Sequence, residues 1–102
     1  MKILVVHDRK EVSTRILDII SEVGCSDRVD VQESYVGARE ALSENSGEYY
    51  DLVILDLTLP IDKNDSRIPT VQNAQSLLQE VFSGSDFIAP GDVIGISNDI
   101  PA

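Results

Sequence analysis

A chain of 102 residues makes one domain with a modest core. Its 18 acidic and 8 basic residues leave a net charge of −10, which sets it against phosphate backbones and anionic membranes and so against direct nucleic-acid binding. The one cysteine, Cys25, excludes an internal disulfide and fits a reducing compartment; with neither a signal peptide nor a membrane-length apolar run, the expectation is a cytoplasmic, soluble protein.

Residues 2–6, "KILVV", read as a strand buried on both faces, as in a parallel sheet. Asp8 precedes Glu11 by three residues, the spacing of a capping box, and Val12, Ile16, Ile19, Ile20 and Val23 follow at helical spacing up to Gly24. That pattern predicts an amphipathic helix over 10–23. Residues 29–33, "VDVQE", alternate and predict a second, more exposed strand. Ser34 is placed to cap a helix over 36–45 that carries Ala38, Ala41 and Leu42 on one face, broken by "NSGEYY". Residues 51–56 form a third strand, almost continuously apolar until Asp56.

After Pro60 comes a polar loop, "IDKNDSRIP". Thr70 is then expected to cap a helix with Val71, Ala74, Leu77, Leu78, Val81 and Phe82 on one side, stopped by Gly84. The last strand is "DVIGIS", 92–97. Strand and helix alternate three times before a final strand, which predicts an α/β fold in a single domain, 1–102, with a parallel sheet and right-handed crossovers.

Ligands of open parallel sheets bind outside the carboxyl ends of the strands. The first strand delivers His7 and Asp8 there, the third Asp56 and then Thr58, and the fourth Ser97 and Asn98. If the first and third strands are neighbours, Asp8 and Asp56 converge, and two close carboxylates resist joint ionisation unless a cation lies between them. Oxygen ligands suit Mg²⁺, and such a site suits phosphoryl transfer to a carboxylate. Each residue also has a plainer role: Asp8 as a helix N-cap, Asp56 as a strand end, Ser97 and Asn98 as turn formers.

"KILVVHD", "DLVILDLTLP" and "VIGIS" together resemble the receiver domain of bacterial two-component response regulators, over Lys2 to Ser97. The resemblance implies a flavodoxin-like (CheY-like) doubly wound sheet of order 2-1-3-4 here. It implies a non-enzymatic phosphorelay role in which Asp56 accepts a phosphoryl group from a sensor histidine kinase or phosphotransfer protein. Asp8, Asp56 and the Thr58 backbone carbonyl would hold Mg²⁺, and Ser97 would hydrogen-bond the phosphoryl oxygen and act as the switch.

Three features depart from the family. His7 stands where the first acid of the pair is usual, and an imidazole suits softer metals better than Mg²⁺. The sequence stops soon after the fourth strand, before the usual helix, fifth strand with its preceding lysine, and last helix; Lys63 is the nearest lysine after Asp56. The loop 61–69 is longer than usual. A fourth strand left at the sheet edge invites pairing, so a homodimer or strand-swapped assembly is expected, or an output domain beyond residue 102. The alternative function is a degenerate receiver that serves as an interaction module without phosphorylation. A phosphatase of the haloacid dehalogenase kind would want a second Asp where Thr58 stands.

Overall fold

The computed structural model describes residues 1–24, 28–60, 71–84 and 86–96. Its elements run β1 (Lys2–Val6), α1 (Lys10–Val23), β2 (Arg28–Gln32), α2 (Tyr35–Leu42), a 3₁₀ turn (Glu44–Ser46), β3 (Leu52–Asp56), α3 (Gln72–Ser83) and β4 (Asp92–Ile96). All strand pairs are parallel, in the order β2-β1-β3-β4. The apolar run of β1 explains its central place: Ile3, Leu4, Val5 and Val6 are all buried, and only a strand covered on both faces needs that.

The two faces are covered differently. Leu4, Val6, Val53 and Leu55 point to one side and pack with Ala38 and Leu42 of α2 and Ala74, Leu77 and Val81 of α3. Burying a leucine side chain completely contributes about 1.5–3 kcal/mol, so this cluster supplies most of the hydrophobic stability. Ile3 and Val5 point to the other side, where Ile20 of α1 is the one other buried apolar residue of the cluster. Val29, Val31, Leu52 and Ile54 are only half covered there. No helix among the described residues is long and apolar enough to cross a membrane.

Helix boundaries follow local chemistry. Ser34 caps α2 by accepting the Gly37 N–H at 3.1 Å. Gly24 ends α1 in the left-handed conformation at φ 70°, which glycine adopts without steric cost. Four expectations shift. The N-cap of α1 is Arg9, with no side-chain cap, so Asp8 does not close a capping box. Helix α2 ends at Leu42, since Ser43 turns extended and its hydroxyl takes the Asn45 N–H to begin the 3₁₀ turn. The N-cap of α3 is Val71, and Thr70 lies outside the described residues. Val71 and Phe82, expected on the buried side of α3, are exposed, as are Ile19 and Val23 of α1.

Candidate functional site

β1 and β3 are hydrogen-bonded neighbours, with Val6 in register with Leu55. Their carboxyl ends therefore place His7, Asp8 and Asp56 together, as the strand reading requires. One ligand atom from each lies within 4.8 Å of the others, so the three could hold a metal ion. His7 and Asp56 have no exposed surface, whereas the Asp8 side chain is 41% exposed. The His7 backbone N–H donates to the Gln32 carbonyl at 2.9 Å, which extends the β1–β2 ladder by one bond and holds the main chain of His7 at the carboxyl end of β1.

The segment after Asp56 is anchored at several points. Leu59 is fully buried among the residues of α2 and α3. The Leu59 carbonyl accepts from Asn73 Nδ2 at 2.9 Å, and the Pro60 carbonyl accepts from the Tyr35 N–H at 2.9 Å. Thr58 turns back on Asp56: its N–H and its hydroxyl both donate to Asp56 Oδ1, each at 3.0 Å. A carboxylate that accepts the N–H two residues on is a common local turn, readable in an Asp-x-Thr sequence. The expectation for Thr58 concerned its carbonyl, so these two donor contacts were missed.

The other carboxylate oxygen is different. Asp56 Oδ2 is buried without a hydrogen-bond partner. His7 Nε2 is 3.8 Å from it, and His7 Nδ1 is 3.6 Å from Asp8 Oδ1. Partial burial first, and then the Asp56 carboxylate beside it, push the Asp8 carboxyl above its ordinary value. The Arg9 N–H donates to His7 Nδ1 at 3.0 Å, a second contact that the sequence does not announce.

The distances leave room for an ion, but the donor set fits Mg²⁺ poorly. That ion takes oxygen ligands, while an imidazole nitrogen belongs with softer metals. The Arg9 N–H also occupies the Nδ1 lone pair. Ser97 and Lys63, together with the whole loop 61–70, lie outside the described residues.

No protein-family model matches the chain. A curated protein from Sinorhizobium fredii (strain NBRC 101917 / NGR234), the uncharacterized protein y4jS, is 25% identical over 103 residues that take in all of this chain. The chain spans 24% of that protein's length. Among solved structures, the MaeR response regulator bound to beryllium trifluoride superposes with a TM-score of 0.69 at 20% identity, over 98% of this chain and 69% of that one. A fusion that carries a segment of the yeast Spc42 trimeric coiled coil superposes at 0.64 with 24% identity, over 98% and 53% of the two chains. The four-stranded parallel sheet and three helices of the described residues thus share the flavodoxin-like fold of that response regulator.

Proposed function

We propose that this chain is a receiver module of phosphorelay signalling, a signalling domain and not an enzyme, in which Asp56 is the phosphoacceptor. The observation that carries the reading is the state of Asp56: it ends the central strand β3, one oxygen is held by two donors from Thr58, and the other has no hydrogen-bond partner. The Thr58 donors orient the carboxylate and leave Oδ2 as the nucleophile. Oδ2 forms the new bond to phosphorus while the donor's bond to phosphorus breaks and the leaving group departs with its electron pair, giving an acyl phosphate. The donor is a phosphohistidine of a sensor kinase or phosphotransfer protein. Mg²⁺ is the ion the resemblance implies for Asp8, Asp56 and Thr58. A serine hydroxyl after β4, Ser97, suits the role of donor to the phosphoryl oxygen.

A second reading is a receiver fold retained for protein interaction. The burial of Asp56 favours it, because a donor reaches that carboxylate only after neighbouring segments part. So does the edge of the sheet: β4 pairs only with β3 among the described residues, and Ile94 on it is 49% exposed. Under this reading a second copy or a further domain adds to β4.

Incubation with acetyl phosphate, followed by intact mass measurement, separates the two. The phosphoacceptor reading expects a mass increase of one phosphoryl group that Asp56→Asn abolishes. An unchanged mass, together with no beryllofluoride-dependent change in the spectra of the wild-type protein, leaves the interaction module.

A further inference from the structure

A carboxylate oxygen buried without a partner is costly, and two carboxylates at one strand edge ordinarily call for a cation. His7 decides what answers that need here. An imidazole that accepts a hydrogen bond at Nδ1 carries its hydrogen on Nε2. Nδ1 accepts from the Arg9 N–H at 3.0 Å, so the nitrogen that faces Asp56 Oδ2 at 3.8 Å presents a proton and not a lone pair.

Metal coordination would have to undo this arrangement. A histidine that binds a metal through one nitrogen normally donates the other N–H to a carbonyl or carboxylate. Here the other nitrogen meets a donor. Coordination through Nε2 would set an Nδ1 proton against the Arg9 N–H, and coordination through Nδ1 would displace that N–H. The imidazole is also wholly buried, packed out of reach of solvent.

We propose that His7 is the residue that makes this site blind to Mg²⁺, because its Nε2 turns a proton and not a lone pair toward the space beside Asp56 Oδ2. The proposal takes its location from the phosphoacceptor reading but needs no phosphorylation. An Asp56 that never accepts phosphate would leave both measurements below unchanged.

The full chain contains one histidine, so its ring signals need no assignment by mutation. Long-range ¹⁵N–¹H correlation spectra should show the Nε2-protonated tautomer of His7. Titration with MgCl₂, against NaCl of matched ionic strength, should move the amides of Asp8, Asp56 and Thr58 no more than the sodium salt does. His7→Asp replaces the proton donor with an anionic oxygen donor and should bind Mg²⁺ saturably, at least about tenfold tighter than wild type. His7→Asn keeps a donor and adds no charge, so it should stay blind to Mg²⁺ and serves if His7→Asp does not fold. An Nδ1-protonated ring, or a saturable Mg²⁺ response of wild type equal to that of His7→Asp, would overturn the proposal. So would Zn²⁺ binding by wild type with a shift of the Arg9 amide, which would make the imidazole a metal ligand.

Discussion

The two faces of the sheet are built from the same strands with the same kinds of residue, yet they are finished to different degrees. On the side of α2 and α3, eleven residues form one buried cluster around Leu4, Val53 and Leu55. On the side of α1, three do, and their neighbours Leu52 and Ile54 remain half exposed. The difference teaches that a β-strand's apolar residues show which faces can be buried, while the cover decides which are.

The largest test of that contrast is Leu77→Ala. Leu77 is 1% exposed between α3 and the sheet, and its removal should cost about 3–4 kcal/mol in urea unfolding, as for other leucine cavities. A loss below about 1 kcal/mol would show that the α3 side is loosely packed.

Tyr50, also in the covered cluster, probes its polar margin. Its hydroxyl donates to Asp30 Oδ2 at 2.6 Å, and Tyr50→Phe should cost about 1–2 kcal/mol near neutral pH. Burial and the Asp30 hydrogen bond push the Tyr50 phenol up to about 12, above its unfolded value of 10.0. Stability from that shift is present below pH 10.0 and is lost as pH rises through about 12. Burial opposes ionisation of Asp30, but hydrogen bonds from Tyr50 and Arg28 outweigh it and hold its carboxyl below the ordinary value. That contribution is present above the unfolded value and fades as pH falls through the folded one. The difference between wild type and Tyr50→Phe should therefore shrink at both acidic and strongly alkaline pH. A difference independent of pH would mean that the hydroxyl does not contact Asp30 in solution.

The smallest expected effect belongs to the open side. Ile94→Thr on β4 should change stability by less than about 0.5 kcal/mol, because Ile94 is 49% exposed. A cost comparable to that of Leu77→Ala, growing with protein concentration, would show that a second copy covers this face.

Much of the fold is legible from short-range patterns. The uninterrupted "KILVV" run marks a central strand, Gly24 a helix end and Ser34 a cap, since each depends on a few adjacent residues. The meeting of Asp8 with Asp56 is also legible, because strand ends in a parallel sheet share one edge. What escaped depends on three-dimensional surroundings. Helical periodicity places Ile19, Val23 and Phe82 on apolar stripes but cannot say whether anything lies opposite, and all three are exposed. Cap chemistry favours Asp8 over Arg9, but Arg9 is the cap, and Asp8 is left free to face Asp56. The direction of the His7 proton follows from a single backbone N–H two residues on, which residue types alone do not encode.

The strand order has a consequence for how the chain reaches this structure. β1 precedes the other described strands in the sequence but sits inside the sheet, and its partner β3 lies far along the chain, with Ile3 opposite Leu52. The sheet's centre therefore closes only after a loop of about fifty residues has been brought together, an entropic cost borne before the apolar strands reward it. During synthesis the "KILVV" segment has β2 as its one strand partner among the described residues until "DLVILD" has followed it out. Folding should thus be slow relative to its helices and should proceed in one step centred on the β1–β3 pair, with that pair's formation as the event that commits the chain.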